Sequence, residues 1–461
     1  ERADSTPGLL AIRARLPAGP LDEAPTVQTV ECDQDARQGH CFSRHRCGGR
    51  WGLRRLDGQH KDRVTELPTT GGAGCSWGRH WPDFRLGLAM MEPVAVYVHT
   101  PFCPSKCGYC DFNSYAMSGG IVDRTVQAML VEIHRSPWRG RPAKTVFFGG
   151  GTPTFLSPGQ LTGLLKAVLE VHPPIPGAEV TSEANPGTVD AEKFDAMVEA
   201  GFNRLSLGAQ SFDTGDLHRL GRMHEATDVA KAVAAARRAG FRSLNIDLMF
   251  ALPGQSMRGW RTNLELALGL APDHLSLYCL TIEPNTRFYR HHLRGALELP
   301  SEETQVAMYD LAVQRCREAG LDHYEISNFA RPGHESRHNL CYWRAEEYLA
   351  YGPGAVGCFV SGDDQRTRYT NTKHPERYAE AVESGLRLWC DEEAVDGHTR
   401  RTEAVMLGLR LSEGLDVQSM NLDPDPMVKA VERGWAAVSE GRFRLTDQGR
   451  HWCSEVATWL I

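Results

Sequence analysis

The sequence predicts an α/β chain: parallel strands with helices outside, as a full barrel or a partial (β/α)6-type one, followed by a small, mostly helical, winged-helix-like domain. Three observations predict it. From Val94 onward, short β-rich runs alternate with helical segments over about 230 residues, the pattern of parallel strands with helices packed outside. Three helical segments end alike, at Glu199-Ala-Gly-Phe202, Arg238-Ala-Gly-Phe241 and Glu318-Ala-Gly-Leu321. Each Gly suits the left-handed position just past a helix, and a strand begins a few residues later. Finally, polar and metal-binding residue types fall at the ends of successive strands, where such barrels carry their chemistry.

In order, the expected strands are Val94–His99, Thr145–Phe148, Glu179–Ala184, Arg204–Gly208, Ser243–Phe250 and His274–Leu280. Helices are expected near Ile121–Arg135, Pro158–His172, Ala191–Ala200, Asp228–Ala239, Ser256–Leu270 and Glu302–Ala319. The second of these has a clear start: Ser157 can cap, Pro158 suits the first helical position and Gln160 completes a capping box. His323-Tyr-Glu-Ile326 reads as a further strand of the same repeat. Residues 1–90 carry scattered Gly, Pro, Arg and Asp without periodicity and read as a poorly ordered extension. Within it, Cys32, Cys41, Cys47 and Cys75 with His40 and His45 form a weak metal-site signal because their spacing is irregular. The barrel is expected over 91–335, a connecting region over 336–395 and the C-terminal domain over 396–461.

Composition narrows the function. A net charge of −7 over 461 residues gives no bulk electrostatic support for nucleic-acid binding. Thirteen cysteines, an odd number without a regular framework, favour free or metal-ligating thiols in a reducing compartment. No apolar run approaches the roughly 20 residues of a membrane span, and no secretory h-region is visible. A soluble, cytoplasmic protein is expected.

The chemistry concentrates after the first strand. Cys103, Cys107 and Cys110 follow one another as Cys-x3-Cys-x2-Cys on a short loop. Three thiolates so placed can hold three irons of a cubane cluster and leave the fourth open, unlike a fully ligated electron-transfer cluster. Zinc, with His99 as a fourth ligand, and simple buried thiols are the competing readings. Later strand ends bring Gly149-Gly-Gly-Thr-Pro153, Glu183-Ala-Asn-Pro186, Gln210-Ser211 and Asp247. Individually these also fit a tight turn, a helix cap or an ion pair.

Taken together, these motifs resemble the radical S-adenosylmethionine (SAM) superfamily, and its branch related to oxygen-independent coproporphyrinogen III oxidase. The likeness covers roughly residues 92–461 and extends through Asn203-Arg-Leu-Ser-Leu-Gly-Ala-Gln-Ser211, Leu220-Gly-Arg222, Asn245-Ile-Asp-Leu-Met-Phe-Ala-Leu-Pro253 and His338-Asn-Leu-Cys-Tyr-Trp343. It implies a 4Fe–4S cluster on Cys103, Cys107 and Cys110, with SAM chelating the open iron and cleaved to a 5′-deoxyadenosyl radical on reduction. It also implies SAM contacts from Tyr97, Tyr109, Gly150, Gly151, Thr152, Glu183, Gln210, Arg222 and Asp247. A carboxylate suits ribose hydroxyls, and an arginine suits the methionyl carboxylate.

Within this branch, the oxidase carries a further cysteine where this chain has Phe112. Cys110-Asp-Phe-Asn-Ser-Tyr115 with His338-Asn-Leu-Cys-Tyr-Trp343 is similar to the HemW-like subgroup, regarded as haem chaperones. That likeness implies haem as cargo, His338 as a haem contact, haem-acceptor proteins as partners and a one-electron donor such as a flavodoxin or ferredoxin. His338 also reads as a structural histidine bonded within the fold. The chain departs from the subgroup at Val356, where histidine is common. Coproporphyrinogen III oxidase activity and a radical SAM reaction on another substrate are the alternatives. The C-terminal domain is expected to serve as a lid or partner surface.

Overall fold

The computed structural model describes residues 92–361 and 365–461, together with two short strands, β1 (His45–Cys47) and β2 (Arg50–Gly52). These two pair antiparallel as a hairpin within a separate unit, Ala14–Ser76. The rest of the expected extension over 1–90, and the side chains of its candidate metal set, lie outside the described residues.

Six parallel strands follow in sequence order: β3 (Val94–Thr100), β4 (Ala143–Gly150), β5 (Pro174–Ala184), β6 (Arg204–Gln210), β7 (Ser243–Phe250) and β8 (His274–Cys279). Strand β3, Val-Ala-Val-Tyr-Val-His-Thr, is buried along nearly its whole length, as expected for a parallel strand covered on both faces. The helices α1 (Gly120–His134), α2 (Pro158–Val171), α3 (Ala191–Ala200), α4 (Thr214–Leu220), α5 (Ala226–Ala239) and α6 (Met257–Gly269) connect successive strands. The start of α2 is the expected capping box: Gln160 N–H donates to Ser157 Oγ (3.3 Å) and Ser157 N–H to Gln160 Oε1 (3.0 Å). Gly201 and Gly240 close α3 and α5 with φ of 114° and 98°, the left-handed exits read from the sequence.

The third such exit leads elsewhere. Helices α7 (Arg287–His292) and α8 (Glu302–Glu318) follow β8, and the chain then forms β9 (Asp322–Glu325) and β10 (Asn328–Ala330). These make an antiparallel hairpin, and β10 pairs antiparallel with β8, so His323–Ile326 is not a further parallel repeat. Glu325 fixes the reversal: its carboxylate accepts from Ser327 N–H (2.8 Å) and the Asn328 side-chain amide inside the turn.

Helix α9 (Arg337–Trp343) then crosses the amino-terminal ends of the barrel strands. Its first N–H groups, Arg337 and His338, donate to Glu179 on β5 at 3.0 and 3.1 Å. Beyond it, β11 (Tyr348–Tyr351) pairs parallel with β3, and β12 (Val356–Val360), β13 (Arg366–Asn371) and β14 (Trp389–Val395) extend the same sheet antiparallel. Residues 336–395, expected as a connecting region, thus carry four strands of a twelve-stranded sheet. Helix α10 (Pro375–Glu383) packs on α1, where buried Glu132 accepts from Tyr378, Asn371 and Gly352.

The C-terminal region comprises α11 (Gly397–Gly408), β15 (Leu415–Asp416), α12 (Pro424–Glu432), β16 (Ala436–Ser439), β17 (Arg442–Leu445) and α13 (Cys453–Leu460). Its three strands form one antiparallel sheet in the order β15-β17-β16, giving the helices-plus-hairpin form expected of a winged helix. Its core of Val405, Leu409, Phe443, Val456 and neighbours also receives Ile326 from the β9–β10 turn. At this junction Arg410 reaches Glu325 at 2.8 Å, an ion pair almost fully removed from solvent.

Candidate functional site

The cysteine loop leaves β3 and is fastened on every side. Cys103 N–H donates to Tyr115 O (3.0 Å), and Tyr115 N–H returns to Pro101 O (2.7 Å). Lys106 Nζ spans the loop to Phe112 O and Ser114 O at 3.1 and 3.0 Å. Gly108 accepts from Phe288 N–H (2.9 Å) and donates to Leu220 O (3.0 Å), so α4 and α7 clamp the loop between them. His99 Nε2 lies 2.9 Å from Asn113 O, and Asn113 Nδ2 donates to Pro353 O and Lys373 O at 3.0 and 3.1 Å.

Two glycines let β4 run on against this loop. A Cβ on Gly151 would lie 2.6 Å from Phe102 O and 2.7 Å from Thr100 O. One on Gly150, whose φ is 103°, would enter the His99 ring at 2.4 Å. The close approach therefore joins two segments of the chain itself. It brings Thr152 Oγ1 to 3.5 Å from Cys103 Sγ and lets Gly151 N–H and Thr152 N–H bond to Thr100 O and Phe102 O.

Cys103, Cys107 and Cys110 are free, half-buried thiols that line one end of a cavity of about 620 Å³. Burial pushes the Cys103 and Cys110 thiols upward, so in the bare protein they hold their protons. Among the described residues, no three His, Cys, Asp or Glu side chains gather closely enough for one metal ion. The irons of a cluster are separate atoms, and its three thiolates stand wider apart than ligands of a single ion. The loop's free thiols on a cavity wall fit such a cluster.

The remaining sequence-predicted residues line the same cavity: Tyr97, Tyr109, Glu183, Gln210, Arg222 and Asp247. Arg222 Nη1 donates to Cys107 Sγ (3.8 Å) and Nη2 to Gly208 O (2.6 Å), while its buried Nε has no partner. Gln210 has φ of 66° where the β6–β7 register slips, a bulge that sets the end of β6 apart from its neighbour. Glu183 accepts from Gly150 N–H at 3.2 Å. Burial, reinforced by the Asp247 charge, pushes its carboxyl up to about 8. Asp247 is likewise raised by burial although it accepts from Asn245 (2.6 Å) and Ser206 (3.2 Å). Burial raises the Tyr97 and Tyr109 phenols, Tyr97 further by Glu183 and Tyr109 by Cys107, so both remain neutral donors. An orphaned guanidinium N–H and two close carboxyls fit a ligand with a carboxylate and a diol, such as SAM.

His338 lies at the opposite, amino-terminal end of the barrel. It is buried, stacked 5.0 Å from Phe147, and both ring nitrogens are occupied: Nδ1 at 2.8 Å from Thr145 Oγ1 and Nε2 at 3.0 Å from Tyr342 OH. Burial, aided by Lys144, pushes its imidazole down to about 3, so it is neutral. This is the arrangement of a structurally held histidine, and an iron ligand would need Tyr342 to let go.

The geometry and the comparisons agree. Residues 97–267 match the Radical SAM superfamily and residues 395–452 the HemN C-terminal domain. The chain is 37% identical over 374 residues to "Heme chaperone HemW" of Bacillus subtilis, covering 78% of this chain and 97% of that one. The chain belongs to the HemW-like family of radical SAM proteins. It is 40% identical over 296 residues to "Heme chaperone HemW" of Escherichia coli, covering 63% and 77% of the two chains. Among solved structures, coproporphyrinogen III oxidase (HemN) from Escherichia coli aligns with a TM-score of 0.69 and 25% identity, over 80% of this chain and 90% of that one. Membership in the superfamily implies an iron–sulfur cluster and SAM. No described helix is long and apolar enough to cross a membrane.

Sequence reasoning missed the loop fasteners Lys106 and Asn113, and the inner cavity residues Arg204, Asn328 and Arg410. Asn113 lies within Cys110-Asp-Phe-Asn-Ser-Tyr115, so its place beside the cysteines was a local signal. Arg410 sits in the C-terminal region with no local signal.

Proposed function

We propose that this chain is a haem chaperone, which binds haem and passes it to haem-dependent proteins on a radical SAM scaffold. One observation carries the reading: a single cavity has the three thiols at one end and the His338-Asn-Leu-Cys-Tyr-Trp343 helix at the other. Cys103, Cys107 and Cys110 hold the cluster. Arg222 offers its unpartnered Nε to the methionyl carboxylate, Glu183 and Asp247 face the ribose, and Gln210 and Tyr109 flank the adenine side. Gly150, Gly151 and Thr152 supply a backbone edge near the methionine, with Tyr97 beneath. When bound, the reduced cluster supplies one electron to the sulfonium of SAM, and the donor is a small acidic carrier such as a flavodoxin or ferredoxin.

His338 serves as the haem contact on release from Tyr342. Nδ1–H then donates to Thr145, the second bond that orients metal-bound imidazoles. Val356 is half-buried on β12 and leaves the subgroup's usual second histidine absent. The nine described cysteines are free thiols, which supports a reducing compartment, and we place the protein in the cytoplasm.

An anaerobic haem titration of cluster-reconstituted protein, followed by absorbance, tests this. Saturation near one haem per chain, weakened in His338→Ala, is expected; absence of specific binding would sink the reading. The structural likeness to coproporphyrinogen III oxidase favours decarboxylation as the second reading. Product formed from coproporphyrinogen III with SAM and a reductant would establish it, against the expectation from Phe112.

A further inference from the structure

Helix α7 and the turn after it carry positive charge that the fold does not use. Arg287, Arg290, His291, His292 and Arg294 are all exposed, and residues 284–297 contain no acidic side chain. The nearest acids along the chain are Glu283 before this stretch and Glu298 after it. Among the described residues, the side chains of the three arginines make no hydrogen bond or ion pair. The patch also runs against the sign of the whole chain, whose net charge is −7. Leu293 keeps helical geometry past the end of α7 (φ −60°, ψ −22°), so Arg287, Arg290, His291 and Arg294 stand at i, i+3, i+4 and i+7 on one face.

This face starts against the cysteine loop. Phe288 N–H donates to Gly108 O at 2.9 Å. A Cβ on Gly108 would lie 2.8 Å from Arg287 Nη2, and one on Gly221 would lie 3.0 Å from the same atom. The Arg287 guanidinium therefore rests between the turn that joins Cys107 to Cys110 and the residue before Arg222. Arg222 itself donates to Cys107 Sγ (3.8 Å). Large apolar side chains stand in solvent on the same side of the molecule as the loop. Phe112 and Met223, at the cavity mouth, are 51% and 70% exposed, and Leu293 on the turn after α7 is 68% exposed. A solvated charge run accounts for the arginines but not for these apolar neighbours. Arginine beside exposed aromatic and methionine side chains is the make-up of a protein–protein contact.

We propose that α7, with Phe112 and Met223 at the cavity mouth, docks the acidic face of a small one-electron carrier protein. The proposal rests on the reading that Cys103, Cys107 and Cys110 hold a reducible cluster, and it adds where the donor binds. Charge selects the occupant: a basic patch on an acidic molecule attracts an acidic protein and orients it on approach. A symmetric contact with a second copy of this chain would set arginine against arginine. The Arg287 end of the stripe brings the carrier to the thiol loop. The transfer it serves moves one electron from the reduced carrier to the oxidised cluster, with no atom exchanged.

Binding is measured directly, by calorimetric titration of an acidic flavodoxin and of an acidic ferredoxin into the cluster-loaded full chain. Wild type should bind at least one of them, and about tenfold more weakly at about 300 mM than at about 50 mM salt. Arg290→Glu/Arg294→Glu reverses two side chains that bond to nothing in the protein, so the fold should persist by circular dichroism and carrier binding should weaken at least about tenfold. Arg238→Glu/Arg242→Glu changes the net charge equally on exposed positions of another part of the barrel and should bind as wild type does. Reduced methyl viologen, a small donor that needs no docking face, should bleach the cluster equally in all three proteins. Equal weakening in both double variants would overturn the proposal and leave only a net-charge effect. No binding of either carrier to wild type, or binding that the stripe variant keeps, would overturn it too. Weaker haem binding with unchanged carrier binding in the stripe variant would reassign the arginines to haem and overturn it. A cluster that methyl viologen cannot reduce would remove the reducible-cluster reading, and the docking face with it.

Discussion

Replacing Tyr342 with Phe separates the two roles open to His338. The Tyr342 hydroxyl bonds to His338 Nε2 at 3.0 Å in a part-buried setting on the cavity wall. If Nε2 is to ligate haem iron, that bond must break and the hydroxyl is left without a partner. Stranding a buried hydroxyl costs about 1–3 kcal/mol, and relaxation of the helix end brings it toward the lower figure. Removing the hydroxyl beforehand removes this cost from binding, so Tyr342→Phe should tighten haem binding roughly fivefold, the equivalent of about 1 kcal/mol. The same change leaves Nε2 unpaired in the free protein and should lower its stability by about 1 kcal/mol. The assay is a haem titration by absorbance, paired with thermal denaturation of the haem-free chain. Tighter binding together with lower stability fits iron ligation by His338. Lower stability with unchanged haem affinity would refute the ligand role and leave His338 as a structural residue.

Other consequences are equally direct. Cys110→Ala should abolish the visible absorbance of the reconstituted cluster while leaving the far-ultraviolet spectrum intact; retained absorbance would contradict the three-thiol site. Arg410→Met strands Glu325, so the chain should lose about 3–5 kcal/mol of stability and its C-terminal region should become sensitive to limited proteolysis. Glu183 titrates near 8 in the folded protein and near 4.3 unfolded. The native state then binds more protons between these values, and its stability falls as pH rises through that window. Glu183→Gln should flatten this fall in the ligand-free chain, as read by denaturation at pH 5 and pH 8; an unaltered slope would show that Glu183 does not titrate there. Asn113→Ala should speed cluster loss under chelator by loosening the loop from Pro353 and Lys373, and an unchanged rate would remove Asn113 as a fastener.

The parallel core was legible because its signals are local. Continuous apolar runs, a capping box and two glycine exits each lie within a few residues, and β3–β8 follow from them. The direction of β9 was not legible, since an Ala-Gly-apolar exit announces the end of a helix and not the pairing that follows. Strands β13 and β14 carry no apolar run: Arg-Thr-Arg-Tyr-Thr-Asn is polar though buried or half-buried, and Trp-Cys-Asp-Glu-Glu-Ala-Val is polar and mostly exposed. At the site, the cysteines, the glycine loop, Glu183 and Asp247 sit at strand ends and could be read in order. The state of His338 could not, because Thr145, its partner, lies 193 residues away. The pairing of Arg410 with Glu325 is also a product of tertiary packing across 85 residues.

The position of β3 has a consequence for synthesis. It is the first barrel strand to be made, yet its second neighbour, β11, and the Asn113–Lys373 bond arrive only with the later part of the chain. At 5–20 residues per second, the 260 residues between Asn113 and Lys373 take about 13–52 s to emerge. For most of that interval, until β11 emerges, one edge of β3 is bare, and throughout it the cysteine loop lacks its bond to Lys373. A nascent chain therefore leaves its thiols open before the fold shuts around them, and it also exposes them to oxidants for the same time. Cluster loading during translation would spare the finished protein from having to reopen that clasp.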